Sequence, residues 1–304
     1  MTGHIFKLKL AVGVGKVLAF VIATYALLQL VVFTGLGTVS ARYWSRYDGR
    51  GLNEPWFLAS SIGSLAVVLL VCFGFLRYVE KRGWSHVGLH RRRALRLFGA
   101  GTLVSTVAVG LIVAIAIGAG AVTLTGTSAS LTRGVLYLLL MLIGGLCLVV
   151  QEEIIFRGYV LRTLDMYGNA PVAVVGTALL FGLAHLTRAH VSVLGILNIS
   201  LMGGFLALVC LKAKSLWPTI GLHFGWNALL YIFDFPVSGA RHPNFLLDLQ
   251  AERPNLLTGS AFGPEDSLLV TGLMMALLAA ALVWHPTDRL KGPAVDIRPG
   301  TVLQ

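Results

Sequence analysis

The side chains of this sequence that could do chemistry are ionisable or amide groups inside long apolar stretches. Such groups cost about 2.5–3.5 kcal/mol each at the centre of a membrane helix on insertion scales, so each is a hypothesis about function. Three clusters stand out in chain order. They are Gln151-Glu152-Glu153-Ile154-Ile155-Phe156-Arg157, Phe181-Gly182-Leu183-Ala184-His185 and His223-Phe224-Gly225-Trp226-Asn227.

The first cluster contains two adjacent acids that face different directions. Neighbouring residues of a helix diverge by about 100°, so Glu152 and Glu153 cannot do the same job. Glu153 and Arg157 are four residues apart with the acid first, which favours an ion pair along the helix. Glu152 is then left unpaired, and desolvation suits it to act as a general base. Alternatively, both acids only compensate basic residues at a helix end.

The second cluster places His185 at the height of Glu152. The residues Tyr167-Gly168-Asn169 are typical of a turn, and the midpoint between positions 152 and 185 falls inside it. An antiparallel helical hairpin therefore places Glu152 and His185 at the same height along the two helices, as activation of a water molecule requires. The alternative is a histidine that merely binds a nearby carbonyl group.

The third cluster places His223 and Asn227 four residues apart, on one face of a helix. Asparagine is a poor metal ligand and a good neutral hydrogen-bond donor. Donors aimed where negative charge develops form an oxyanion hole, and loss of one costs about 10²–10³ in rate. A polar contact between membrane helices is the alternative.

Together the clusters read EExxxR, FxxxH and HxxxN, and this order resembles the type II CAAX prenyl endopeptidase family. The resemblance covers about residues 135–235. It implies an intramembrane peptidase in which Glu152 and His185 activate the attacking water while His223 and Asn227 stabilise the oxyanion. Glu153 and Arg157 complete the first motif in a supporting role.

No cofactor is expected. The sequence has no HExxH, and a Glu/His/His/Asn set lacks the usual three strong zinc ligands. Zinc is the alternative, with Glu152, His185 and His223 as its ligands. Two other functions stay open: a non-proteolytic scaffold or bacteriocin-immunity-type protein, and a proton-coupled transporter that uses Glu152 and His185 as a relay.

The elements that must position these clusters are membrane helices. Of the 304 residues, 56% are hydrophobic and only 12% are charged, about half the charged share of a soluble domain. This composition predicts an all-α, polytopic membrane bundle. Eight apolar stretches are long enough to be candidate spans: 17–36, 56–76, 98–122, 135–163, 171–187, 191–211, 216–233 and 268–284.

Four segments follow from these stretches. We expect three N-terminal spans with a basic loop in residues 1–134 and a catalytic core of spans four to seven in residues 135–235. A polar outer loop occupies 236–267, and the last span with its tail occupies 268–304. A short amphipathic piece around Phe245–Leu249 is expected to rest on the membrane surface.

The net charge of +11 reflects membrane topology rather than nucleic-acid binding. With the N-terminus inside, 17 of the 24 Lys and Arg residues fall in cytoplasmic segments, which is the usual bias. We therefore expect a multi-pass protein of the plasma or inner membrane with both termini in the cytoplasm. Its expected partners are the lipid bilayer and a membrane-associated peptide or protein substrate.

Overall fold

The fold is an all-α membrane bundle. A computed structural model describes residues 2–34, 54–126, 131–240, 247–251 and 256–291. The helices are α1 (Thr2–Thr34), α2 (Glu54–Gly74), α3 (Ala94–Gly118), α4 (Leu131–Glu153), α5 (Leu161–Tyr167), α6 (Ala170–Leu183), α7 (Val193–Ala213), α8 (Trp217–Ile232) and α9 (Leu268–Val283). Two π-helical segments interrupt this pattern: Phe75–Glu80 extends α2, and Ile154–Val160 joins α4 to α5.

Each of the eight predicted stretches overlaps at least one described helix, but these helices differ in length. Five are long and apolar enough to cross a membrane: Gly3–Leu30, Phe57–Glu80, Ala94–Gly118, Gly134–Tyr167 and Val193–Ala213. Helices α6 and α9 are apolar but shorter, with 14 and 16 residues, and α8 also has 16. The first helix begins at Thr2 rather than near residue 17, so its basic residues lie within the helix.

A small β-sheet departs from the sequence prediction. Strands β1 (Val122–Gly126) and β2 (Leu247–Ala251) pair in antiparallel register, with Leu124 opposite Leu249. Of the amphipathic piece expected on the membrane surface, residues 247–249 belong to β2 and Phe245 lies outside the described residues, and its place on the surface stays a prediction. Period-two patterning over five residues is too short to separate a strand from an amphipathic turn.

Two features of the backbone position the chemical groups. The turn predicted between the fourth and fifth stretches is present: α5 ends at Tyr167, and the Asn169 side chain caps α6 by accepting from the Val172 N–H at 3.0 Å. Helices α3 and α8 approach so closely that a Cβ at Gly101 would meet the Pro218 carbonyl and one at Gly221 the Phe98 carbonyl. Such glycine contacts, common between membrane helices, fix α8 against α3.

Candidate active site

The four side chains predicted to do chemistry line one cavity of about 110 Å³. Glu152 comes from the last turn of α4 and His185 from the turn that follows α6. His223 and Asn227 come from successive turns of α8. Helix α7 and the loops after α8 complete the lining. Groups distant in sequence thus converge on a space large enough for a few water molecules, each of which takes about 30 Å³.

The two adjacent acids occupy different environments, as the helix geometry predicts. The Glu153 side chain is fully buried, and the Arg157 Nη1 donates to its Oε1 at 2.9 Å. The predicted ion pair is therefore present. Arg157 Nη2 also donates to the Gly203 carbonyl at 3.2 Å, and its guanidinium lies 4.3 Å from the centre of the Phe181 ring. The Glu152 side chain is 20% exposed and faces the cavity.

His223 lies between the two carboxylates, a contact that the sequence did not predict. Its Nδ1 is 3.0 Å from Glu153 Oε1, and its Nε2 is 3.9 Å from Glu152 Oε2. Because a carboxylate can only accept, Nδ1 carries the hydrogen. The Nε2 atom then faces Glu152 across a gap too long for a direct hydrogen bond and suited to a bridging water. Glu153 therefore sets the orientation of the His223 ring.

His185 lies just beyond α6 rather than within a span. Its Nδ1 donates to the Phe181 carbonyl at 2.8 Å, and this bond satisfies a carbonyl left open at the helix end. The carbonyl contact considered from the sequence is therefore present, and the ring still lines the cavity. Within the described residues, His223 is the histidine within ion-pairing distance of Glu152, and the activation of a water by Glu152 and His185 together stays a prediction.

Asn227 faces the cavity one turn after His223. Its side-chain amide forms no hydrogen bond with any described part of the chain, so the amide hydrogens remain available to a ligand. On the opposite side of α8, a Cβ at Gly225 would meet the Thr102 carbonyl of α3 at 2.9 Å. The close packing of α3 therefore holds the helix that presents both His223 and Asn227.

Three polar residues of the lining were missed by the sequence analysis: Arg188, Ser238 and Glu265. Glu265 is 4% exposed and accepts hydrogen bonds from the Ser238 N–H at 2.7 Å and its Oγ at 3.1 Å. Burial raises the pKa of Glu265 to about 7, although these bonds act in the opposite direction. Its position in a polar loop gave no signal, because loop acids are normally solvated.

Across the described ranges, no group of three or more His, Cys, Asp or Glu side chains is arranged to hold a metal ion. The Nδ1 atoms of both histidines donate to protein acceptors, so Nε2 is the nitrogen that each ring offers to the cavity.

Comparison with known proteins identifies the part of the chain that builds this cavity. A family model described as Rce1-like, type II CAAX prenyl endopeptidase, matches residues 134–229. No curated protein sequence and no solved structure gives a significant match to the chain. The matched range includes Glu152, His185, His223 and Asn227. Residues 134–229 thus match the Rce1-like domain of the type II CAAX prenyl endopeptidase family, which is a family of proteases.

Proposed function

We propose that the protein is an intramembrane endopeptidase that hydrolyses a peptide bond of a membrane-associated peptide or protein. The observation that carries this proposal is the convergence of Glu152, His185, His223 and Asn227 on one cavity. An acid, two histidines and an unbonded amide are the groups that water activation and oxyanion stabilisation need. We place the protein in the plasma or inner membrane, with cytoplasmic termini.

In the proposed reaction Glu152 is the general base. Its carboxylate takes a proton from a water that is also held by Nε2 of His185, whose Nδ1 is fixed by the Phe181 carbonyl. The resulting hydroxide attacks the scissile carbonyl carbon and gives a tetrahedral oxyanion. When this intermediate collapses, the C–N bond breaks and Glu152 returns the proton to the leaving amine.

The oxyanion is bound by an N–H at Nε2 of His223 and by the Asn227 amide. Glu153 accepts from Nδ1 of His223 at 3.0 Å, so its carboxylate orients the ring and offsets the positive charge when Nε2 carries a proton. A buried carboxylate serves a catalytic histidine in the same way in the Ser-His-Asp triad. Arg157 in turn holds Glu153 ionised through the 2.9 Å ion pair.

We propose that this reaction needs no metal ion. The unsuitable donor arrangement and the free Asn227 amide support this choice. Purified enzyme treated with a chelator that reaches the cavity is expected to keep its activity. Complete loss of activity, restored by one equivalent of zinc, would return the protein to the metalloprotease class.

The proposed function is tested by comparing cell membranes that contain wild-type protein, Glu152→Gln or Glu80→Gln. Glu80 is a buried acid outside the cavity lining, paired with Lys16 at 3.0 Å, so its variant controls for loss of a buried carboxylate. Mass spectrometry of peptide termini should find cleavage products with wild type and Glu80→Gln that are missing with Glu152→Gln. Identical termini in all three membranes, at equal protein levels, would favour the non-proteolytic scaffold instead.

A further inference from the structure

A second, apolar cavity lies on another side of the bundle and shares no lining residue with the catalytic one. It has a volume of about 370 Å³, within the usual range of ligand pockets, roughly 300–1,000 Å³. Helices α3, α7, α8 and α9 form its walls, and every lining side chain is apolar, including Ala100, Phe205 and Leu277. We call this cavity the apolar groove.

One end of the apolar groove is closed by the chain that follows α9, and two cations hold that chain. Trp284 and Leu290 line the groove there. The Lys212 Nζ donates to the carbonyls of Leu282 and Trp284 at 2.7 and 2.9 Å. The Arg93 Nη1 donates to the carbonyls of Asp288 and Lys291.

The described hydrogen bonds of these two cations go to backbone carbonyl groups. Carbonyl groups accept their hydrogen bonds but carry no net charge, and neither Arg93 nor Lys212 forms an ion pair with a carboxylate inside the described ranges. The nearby Asp288 side chain is 97% exposed and pairs with Lys291 at 3.5 Å. An apolar groove that ends at two such cations is complementary to an amphiphile with a negative head.

The helix geometry brings the charges to the groove face. Arg93 caps α3 one turn ahead of Leu97 and two turns ahead of Gly101, which both line the groove. Residues four apart share a helix face. Tryptophan at the same end fits the boundary between hydrocarbon and headgroups, and basic pockets between membrane helices attract anionic lipid heads.

We propose that the apolar groove binds one anionic phospholipid of the surrounding bilayer, with an acyl chain along the groove and the phosphate beside Arg93 and Lys212. A zwitterionic lipid offers the same chains but no net charge, so the site prefers the anionic lipid. The proposal is independent of the peptidase function, because none of the groove residues reaches the catalytic cavity.

The test is native mass spectrometry of the purified full chain in detergent, titrated with phosphatidylglycerol or with phosphatidylcholine of the same acyl chains. One phosphatidylglycerol should bind more tightly. Each basic residue near an anionic head strengthens binding by about fivefold, so Arg93→Gln and Lys212→Gln should each weaken phosphatidylglycerol binding by about that factor and leave phosphatidylcholine unchanged. Arg93→Lys should keep the preference. Arg77→Gln is the charge control, since Arg77 is exposed and lines neither cavity.

The apolar part is tested by filling the groove. Ala100→Phe should reduce binding of both lipids, whereas Leu103→Phe should not, because Leu103 is an exposed residue of α3 outside the groove lining. Glycerol phosphate, which is a headgroup without chains, should not displace the lipid. Equal affinity of the wild type for both lipids, equal losses with Arg77→Gln, or displacement by glycerol phosphate would each overturn the proposal.

Discussion

Two of the buried polar clusters among the described residues invite comparison, because one lies outside the lining of the catalytic cavity and the other is part of that lining. In the first, which we call the Lys16 cluster, the Lys16 Nζ lies 3.0 Å from Glu80 and donates to the Tyr167 hydroxyl at 2.6 Å. The Tyr159 hydroxyl donates to the other oxygen of Glu80 at 3.1 Å. In the second, the catalytic cluster, Glu153 binds Arg157 and His223.

The clusters share more than burial. Each has a carboxylate beside a π-helical segment, since Glu80 ends Phe75–Glu80 and Glu153 precedes Ile154–Val160. Such segments often occur at functional sites. The difference is Glu152, an acid next to the paired one, which faces the catalytic cavity and whose nearest basic group among the described residues is the His223 ring at 3.9 Å. A buried acid that is paired with a cation therefore indicates a structural role. An acid without a close hydrogen-bond partner at a cavity indicates a catalytic role.

The largest expected effect is on activity, and it distinguishes Glu152 from Glu80. Glu152→Gln removes the proposed general base and should lower the rate of substrate cleavage by about 10²–10⁴-fold. The melting temperature should hardly change, because the Glu152 carboxylate accepts no close hydrogen bond from a described residue. Glu80→Gln should do the reverse, lowering the melting temperature while the folded fraction keeps its activity. Rates are measured on the terminal peptide that requires Glu152.

This contrast fails if Glu152→Gln and Glu80→Gln have the same effect on the cleavage rate. Equal activity of Glu152→Gln and wild type would remove Glu152 from the mechanism. Loss of activity in folded Glu80→Gln would mean that the Lys16 cluster takes part in the function. The connection would be the span Gly134–Tyr167, which contains Glu152 as well as Tyr159 and Tyr167 of the cluster.

The next effect compares the two ion pairs by stability. Arg157→Gln leaves the fully buried Glu153 carboxylate without its cation, and breaking a buried pair costs about 3–5 kcal/mol. Lys16→Gln should cost less, because the Lys16 side chain is 21% exposed and Glu80 keeps the Tyr159 hydroxyl as a donor. Thermal unfolding in detergent measures both. A larger loss for Lys16→Gln than for Arg157→Gln would contradict this ranking.

Two asparagines extend the comparison from charges to amides. Asn227 has an unbonded amide at the cavity, so Asn227→Ala should lower the cleavage rate by about 10²–10³-fold with little change in stability. The Asn198 amide donates to the Glu265 and Ser267 carbonyls at 2.8 and 2.9 Å. Asn198→Ala should therefore cost about 1–3 kcal/mol of stability and spare the rate. Equal rates for both variants would exclude Asn227 from the oxyanion hole.

Composition and apolar runs were enough to predict the bundle, because lipid imposes long apolar helices. They were not enough to find the Lys16 cluster. The predicted spans 17–36 and 56–76 left out Lys16 and Glu80, since a hydropathy window ends at charges that tertiary partners can bury. The π-helical segments and the β1–β2 pairing also depend on contacts between distant residues.

The motif spacing predicted the Glu153–Arg157 pair and the shared helix face of His223 and Asn227, because helix periodicity decides both, while the grouping of these motifs in one site rested on the hairpin midpoint and the family resemblance. It could not predict that His223 bridges Glu152 and Glu153, since this contact depends on how α8 packs against α4. Glu265 was missed for a similar reason: its burial depends on loops folding over the cavity, which no local pattern encodes.

The smallest effect concerns Glu265, a buried carboxyl that has hydrogen bonds but, within the described chain, no ion pair. Its pKa is about 7 in the fold against 4.5 for an ordinary glutamate. Between these values the folded protein holds a proton that the unfolded chain has released, so stability should fall as the pH rises through this window and level off above it. Glu265→Gln, which cannot ionise, should flatten that slope in melting temperatures measured from pH 4.5 to 8. Asp288→Asn should leave the slope intact, because the Asp288 carboxylate is almost fully exposed. An unchanged slope in Glu265→Gln would mean that water or a cation already compensates this carboxylate, and Glu265 would then resemble Glu80 rather than Glu152.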